Sequence, residues 1–439
     1  MRLLILGLNY APEPIGVGRY TAEFASWLRK RGHEVRIIAA PPYYPAWQVK
    51  APYTARRYQL ERRPEGTVLR CPLWVPTRPT ALHRILHLLS FALSAFVPTL
   101  WQAVRWRPDL VWTVEPTAFN APTALLAARL AGGKACMHVQ DFELEAACRL
   151  CMRLSPRLAR GARALYGWML RRFDLVSTIS RRMRWRLAAL GVPLERLRLC
   201  PNWVDAGTIR PLATASPMRA ALGLDARHVV VLYAGNMGEK QGVETLAALA
   251  DRLAAEPSLR LVLCGDGVLR SWLESRTTGR ANVVWLPVQP EERLNDLLNL
   301  ADIHLIPQRP EAEQFALPSK LGGILASGRP VVAQATGGEV AAAARRCGIV
   351  VPPGDAAAMA QAIIDLARDP IRRRRLGRAA RQLAENRFDA TTILDSYSRQ
   401  LERLAAGRRA RPWQELLARS SAAVGAFLGM SWTVSVRRR

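Results

Sequence analysis

The stretch Val229–Gly242, VVVLYAGNMGEKQG, decides how the chain is read. Val229-Val230-Val231-Leu232-Tyr233 is a continuous apolar, β-prone run, the pattern of a strand covered on both faces. Ala234-Gly235-Asn236-Met237-Gly238 turns the chain, and Glu239-Lys240-Gln241-Gly242 leads into the helix-prone VETLAALADRLAAE. Glycine lets a backbone approach a ligand closely, and a helix start offers free N–H groups at a positive dipole end. Gly235, Asn236, Gly238, Lys240 and Gln241 are therefore candidate phosphate-binding residues. The same strand-turn-helix also serves plain packing, and by itself the stretch leaves both readings open. The chain has five lysines, and two of them, Lys240 and Lys320, fall in the two stretches that read as ligand loops.

Outward from this stretch, strands and helices alternate on both sides. Downstream, the strand-like runs are Leu259–Cys264, Val283–Leu286, Ile303–Ile306, Val331–Ala333 and Ile349–Val351, and the long helices Ala356–Arg368 and Ile371–Asn386 follow. Upstream, they are Leu3–Leu8, Glu34–Ala40, Asp109–Thr113, Lys134–Val139, Asp174–Ile179 and Leu197–Pro201. Leu3–Leu8 is too short and lacks the cleavage site of a signal peptide, and reads as a first buried strand. After it comes a Pro- and Gly-rich loop with Gly16 and Gly18, at the carboxyl end of a strand, where doubly wound sheets bind ligands. The expected fold class is α/β, with two Rossmann-like doubly wound parallel-sheet domains facing a cleft. The expected division is an N-terminal domain over 1–206, a linker over 207–225 and a C-terminal domain over 226–388. A helix over 389–406 is expected to pack back on the first domain, ahead of a basic and apolar tail over 407–439 that is either a frayed end or a membrane tether.

The formal charge is +28 and is carried almost wholly by arginine. Such a chain attracts nucleic acid, anionic membrane or anionic small ligands. It shows no helix-turn-helix, zinc or aromatic-basic RNA signature, which argues against nucleic acid. Seven cysteines, an odd number placed mostly in apolar runs, suggest reduced thiols and a cytoplasmic setting, and Cys148-x-x-Cys151 lacks a second pair. Leu82–Arg107 is apolar from Leu88 to Trp101, shorter than the about 20 residues that span a bilayer. It reads as a core helix or as a helix lying on a membrane surface. Arg153–Phe173 and Arg181–Leu190 interleave arginine with Leu, Tyr and Trp, as a solvated face or as a patch for anionic headgroups.

Taken in order, several motifs carry a resemblance. They are Gly7-Leu8-Asn9-Tyr10-Ala11-Pro12-Glu13 with Gly16-Val17-Gly18, Pro201-Asn202-Trp203-Val204-Asp205, the Gly235–Gly242 loop, Cys264-Gly265-Asp266-Gly267, Pro318-Ser319-Lys320 and Ala326-Ser327-Gly328-Arg329-Pro330. The set resembles GT-B-fold glycosyltransferases of family 4 over about residues 1–405, most closely the colanic-acid and exopolysaccharide biosynthesis branch, many of them fucosyltransferases. The resemblance implies a retaining transferase that moves a hexosyl or deoxyhexosyl unit from a nucleotide sugar, GDP- or UDP-linked, to a lipid-linked saccharide. It implies a donor site in the second domain, acceptor binding in the first, and no metal or other cofactor. On it, Lys240 stabilises the leaving diphosphate and Asp141 or His138 orients the sugar or acceptor hydroxyl. Gly16, Gly18, Asp266, Ser319 and Lys320 join the donor site. The partners it implies are a nucleotide sugar, a lipid-linked acceptor and an anionic membrane surface, with the enzyme peripheral on the inner face of the cytoplasmic membrane.

The sequence departs from the family where a glutamate usually grips the ribose, because that position is Gly323. Its usual partner eight positions earlier falls at Phe315, with Glu311 and Glu313 nearby. His138 also reads as a satisfied strand-end histidine, and Asp205 and Asp266 as cap or turn residues. A nucleotide-sugar 2-epimerase of the same fold and an Arg-rich nucleic-acid-binding protein are the rival functions.

Overall fold

The computed structural model describes residues 1–13, 16–44, 46–77, 80–116, 118–142, 155–238, 241–309 and 318–407. Contacts divide the chain into two compact units. One holds Met1–Ser177, Leu190–Leu197 and Ser398 onward, and the other holds Thr178–Ala189 and Arg198–Tyr397.

The first sheet has strands β1 (Arg2–Gly7), β2 (Glu34–Ala39), β3 (Gln59–Arg63), β4 (Gly66–Arg70), β5 (Leu110–Val114), β6 (Lys134–Val139), β7 (Leu175–Thr178) and β8 (Leu197–Leu199). Their order is β3-β4-β2-β1-β5-β6-β7-β8. β2, β1, β5 and β6 pair in parallel, as does β4 with β2, while β3 is antiparallel to β4. The run of apolar side chains in β1 and β5 is buried throughout, because helices cover both faces of a parallel sheet.

The β3–β4 hairpin was not anticipated from the sequence. Its edge strand, QLERR, is mostly charged and only half covered, so it lacks the apolar signature of the inner strands. It has a structural task. Arg70, fully buried at the end of β4, donates to Glu61 of β3 at 3.1 and 3.3 Å, to the Ala40 carbonyl at 2.9 Å and to the Ala11 carbonyl. A buried guanidinium is tolerated only when paired in this way, and here it ties the loop after β1 to the sheet.

The second sheet has β9 (Val229–Ala234), β10 (Leu259–Cys264), β11 (Val283–Leu286), β12 (Ile303–Ile306), β13 (Val331–Gln334) and β14 (Gly348–Val351), in the order β11-β10-β9-β12-β13-β14, all parallel. Alternate residues of β9 explain its unbroken apolarity. Val231 and Tyr233 face a core with Leu246, Leu249, Met359 and Ile363. Val230 and Leu232 face a second core with Leu297, Leu300 and Met218. The chain steps outward from β9 to β11 and then crosses back to β12. That reversal opens a crevice at the carboxyl ends of β9 and β12, the place where doubly wound sheets bind ligands. The helices Ala356–Arg368 and Pro370–Arg387 start where Asp355 and Asp369 cap them, each accepting a backbone N–H at 2.8 Å.

Cys71, Cys136, Cys200, Cys264 and Cys347 are buried thiols; Cys148 and Cys151 lie outside the described residues, as does the tail from 408. The Leu82–Arg107 stretch forms the helix Ala81–Arg105, with Pro98 inside it. Its inner stripe, including Leu88, Phe91, Ala95 and Thr99, is buried against the first unit. Its outer stripe leaves Leu93, Val97 and Trp101 between 59% and 75% exposed. The helix thus has a buried core face and an apolar face open to solvent.

Candidate functional site

In the second unit the loop after β9 is built against the loop after β10. The Gly235 N–H donates to the Cys264 carbonyl at 2.9 Å and the Met237 N–H to the Asp266 carbonyl at 2.7 Å. Gly265 has φ 152°, and a Cβ there would fall 1.9 Å from the Gly235 oxygen, so no other residue fits without moving backbone. A Cβ on Gly242, at φ 59°, would lie 3.5 Å from the Gln308 backbone just beyond β12. The turn therefore lies along the crevice between β9 and β12. Asn236 is exposed on it, and the Gln241 N–H closes back on the Gly238 carbonyl at 3.0 Å. Lys240 lies outside the described residues, together with Glu311, Glu313 and Phe315.

Lys320 is the second cation of the sequence reading, and the structure places it over the turn. A Cβ on Gly235 would lie 3.6 Å from its Nζ, and Nζ sits 4.0 Å from the centre of the Tyr233 ring. The Tyr233 hydroxyl in turn donates to the Asn236 carbonyl at 2.6 Å. The Lys320 ammonium is buried and, among the described residues, has no hydrogen-bond partner. Burial pushes its pKa down to about 7. Two further buried atoms near the same crevice lack partners among the described residues, Gln308 Oε1 and Gln334 Nε2. The oxygen of the same Gln334 amide accepts the Thr245 hydroxyl at 3.3 Å, from the helix that follows the turn. Buried polar atoms are rarely left unsatisfied, and such a cluster marks a place where a ligand completes the bonding.

Asp266, a candidate donor-site residue, and Asp205 both make turn contacts as placed. Asp266 is exposed, and its Oδ1 accepts the Gly267 N–H at 2.8 Å, a turn contact. Asp205 holds the Gly207 and Thr208 N–H groups at 2.8 and 3.1 Å. Ser319 is exposed, one residue ahead of the helix Lys320–Ala326. A Cβ on Gly323 would meet the end of the Leu298 side chain at 3.2 Å, a tight contact at the position of the family's glutamate.

In the first unit, Gly18 brings the helix Val17–Lys30 against the loop after β1, since a Cβ there would lie 3.0 Å from Glu13 and 3.2 Å from the Tyr10 nitrogen. Gly16 has φ 68° and open space around it. Glu13, which no sequence signal singled out as a site residue, is buried and accepts Asn9 at 2.9 Å and the Tyr43 and Tyr44 N–H groups at 3.1 Å. Burial raises its pKa, and these three bonds oppose the rise.

His138 is corrected by its position. Its ring is buried within the sheet, stacked 5.5 Å from Trp112, with Nδ1 2.8 Å from the Ser177 hydroxyl. Burial drives its pKa down to about 3, so it stays neutral. As placed it packs in the core against Trp112 and Ser177, away from an open surface where a sugar would reach it. Asp141, two residues beyond β6, is half-buried, and its charge acts on Glu115 and Tyr44.

Glu115, directly after β5, is the residue that sequence reasoning missed. It is buried, accepts the Tyr166 hydroxyl at 2.5 Å, and its Oε2 has no partner among the described residues. Desolvation lifts its pKa to about 8, with the Asp141 charge adding to the rise. The unfolded carboxyl ionises near pH 4.5 and the folded one near 8, so stability falls as pH rises through that window. Glu115→Gln is expected to flatten this dependence and to gain on the order of 1–3 kcal/mol over wild type at pH 8. Thermal unfolding at pH 5 and pH 8 checks it, and an equal loss at both values in the two proteins contradicts it.

Two doubly wound α/β units, with a glycine turn and a buried cation at the switch point of the second, fit the GT-B class of glycosyltransferases. Residues 16–203 match the glycosyl transferase 4-like domain, and residues 228–369 match the glycosyl transferases group 1 family. WcaI of Escherichia coli (strain K12), assigned as a colanic acid biosynthesis glycosyl transferase, is 42% identical over 337 residues, 75% of this chain and 82% of WcaI. The chain belongs to the group 1, family 4-like glycosyltransferases, and it is an enzyme of that kind. In fold it is similar to sucrose-phosphate synthase from Thermosynechococcus elongatus, with a TM-score of 0.72 and 18% identity, covering 92% of this chain and 99% of that one. It is similarly related to Anabaena Alr3699/HepE in complex with UDP and glucose, with a TM-score of 0.66, 18% identity and the same coverage.

Proposed function

We propose that the protein is a retaining glycosyltransferase that moves a hexosyl or deoxyhexosyl unit, fucosyl in the narrowest reading, from a UDP- or GDP-linked sugar to a lipid-linked saccharide. The setting is assembly of a colanic-acid-type exopolysaccharide at the inner face of the cytoplasmic membrane. The observation that carries the donor half is the buried Lys320 ammonium on the Gly235 turn, without a hydrogen-bond partner among the described residues. A diphosphate against the backbone amides of that turn gives Lys320 the anion it lacks. As the bond from sugar C1 to the diphosphate oxygen breaks, its electron pair moves onto the diphosphate, and fixed N–H groups and an ammonium stabilise that charge. The sugar becomes oxocarbenium-like and is captured by the acceptor hydroxyl, whose proton leaves to a phosphate oxygen. We assign Asp141 to orienting that hydroxyl and Lys240 to the same diphosphate. UDP in the Anabaena neighbour and the assignment of WcaI support the donor class and the pathway.

The membrane half rests on the helix Ala81–Arg105 and its outward Leu93, Val97 and Trp101. Arginines support it too: Arg172 lies 3.6 Å over the exposed Trp168 ring, an apolar surface rimmed by cations that suits anionic lipid. Replacing Leu93, Val97 and Trp101 together by serine is expected to weaken binding to anionic vesicles by about 10²-fold or more, since each apolar side chain contributes about 1.5–3 kcal/mol on burial. Vesicle flotation reads this, and unchanged flotation of the triple variant removes the helix from the membrane contact.

Transfer itself is tested with labelled UDP- and GDP-sugars and a bacterial lipid extract. Label entering the lipid fraction, with one nucleoside diphosphate released, supports the proposal. Isomerised donor with no transfer supports the epimerase instead.

A further inference from the structure

A separate concavity lies at the opposite, amino edge of the second sheet. It has a volume of about 600 Å³ and is walled by the residues just before β12 and β13 and by the helix Pro370–Arg387. Five of its lining residues are arginines, Arg329, Arg373, Arg374, Arg378 and Arg381, against two carboxylates, Asp302 and Glu385.

These arginines divide by what they already hold. Arg381 donates to the carbonyls of Ala206, Ile209 and Ala326 at 2.8 to 3.0 Å and to Glu385 at 2.6 Å. Arg373 donates to the Leu366 and Ala367 carbonyls at 2.6 and 2.5 Å. Those two fasten the wall. Backbone contact fixes it further, since a Cβ on Gly377 would fall 2.2 Å from the Gly328 oxygen. The carboxylate of Asp302 is engaged by Arg219 at 3.0 Å and the Val230 N–H at 2.8 Å. Arg374 and Arg378 are exposed on the helix face, and Arg329 has its Nε buried without a partner among the described residues. Burial without a full partner lowers the Arg329 pKa, which is the electrostatic sign of a cation short of an anion.

The geometry points to a binding site for a phosphomonoester on a sugar-sized organic body, held by Arg329, Arg374 and Arg378. Guanidinium groups match phosphate oxygens in pairs, and three of them on one concavity favour a dianion. The volume exceeds what a bare phosphate needs and falls in the range of small-molecule pockets. Pro211, Pro330 and Pro370 give the rest of the body a rigid apolar wall. The same phosphate chemistry is offered by a free sugar phosphate or nucleotide and by a lipid headgroup.

The test is calorimetric titration of the full chain with glucose 6-phosphate and with AMP, alongside flotation on phosphatidylglycerol vesicles. Arg378→Ala changes an exposed side chain, and Arg329→Gln changes the half-buried one. One of the soluble probes is expected to bind, and each variant is expected to weaken it by about tenfold or more. Lys320→Met is expected to leave that binding intact, which separates this concavity from the Gly235 turn. Binding to vesicles alone, reduced in Arg378→Ala, assigns the phosphate to a lipid headgroup. No response to any probe at millimolar concentration, or equal binding by wild type and both variants, overturns the site.

Discussion

Lys320→Met is expected to lower nucleoside diphosphate affinity by about 10²–10³-fold, the loss typical when a buried charge-assisted contact to an anion is removed. It is also expected to raise the stability of the ligand-free protein. The wild-type ammonium is buried without a partner among the described residues, and its pKa is pushed down to about 7. An unfolded lysine titrates near about 10.4, so between pH 7 and that value the unfolded chain binds more protons and stability rises with pH. At and below pH 7 the folded protein carries the desolvation penalty. Methionine, of similar length and without charge, removes it, for an expected gain on the order of 1–3 kcal/mol near pH 7. Thermal unfolding with and without UDP reads both effects. A variant that loses stability together with affinity contradicts the assignment, because that pattern belongs to a packing residue.

The same lysine makes binding proton-linked. At pH 8 the ligand-free amine is mostly neutral, and a bound diphosphate raises its pKa, so binding takes up a proton and affinity falls as pH rises above 7. Titrations in buffers of different ionisation enthalpy measure that uptake, and the Lys320→Met variant should show none from this site.

The second large effect belongs to Gly265→Ala. The residue has φ 152°, and an added Cβ would fall 1.9 Å from a backbone oxygen, which cannot rotate away as a side chain could. The turn after β9 must move, and the cost is expected to reach about 3 kcal/mol or more, with donor binding lost alongside. Gly161→Ala is the control. That glycine lies within the helix Pro156–Leu170 with nothing within 4 Å, so alanine there is expected to be neutral or to stabilise by about 0.5–1 kcal/mol. Similar melting of the two variants would mean that the contact between the two turns does not hold the site.

The inner strands were legible in the sequence because both faces of each sheet are covered, which makes β9 an unbroken apolar run and leaves β10 and β12 apolar but for Arg260 and His304. The hairpin of β3 and β4 was not, since an edge strand such as QLERR needs no apolar face. At His138 the sequence left two readings, a satisfied strand-end histidine and the ligand role that the resemblance implied. Period-two alternation separates inside from outside only when one face is wet, and β6 has none, so the pattern could not choose between them. Asp141, three residues later, is beyond the sheet and only half-buried. Lys320 was legible by its rarity and its motif, but its burial over Tyr233 is a tertiary fact. Glu115 was missed because a single acid after a strand resembles any turn residue. Its signal is the buried Tyr166 hydroxyl that reaches it from 51 positions away.

The most direct measurement is calorimetric titration of the purified protein with UDP and with GDP, free and sugar-linked. One nucleotide is expected to bind at sub-millimolar concentration, with proton uptake at pH 8 that disappears in Lys320→Met. Absence of binding by either nucleotide at millimolar concentration would contradict a donor site on the Gly235 turn.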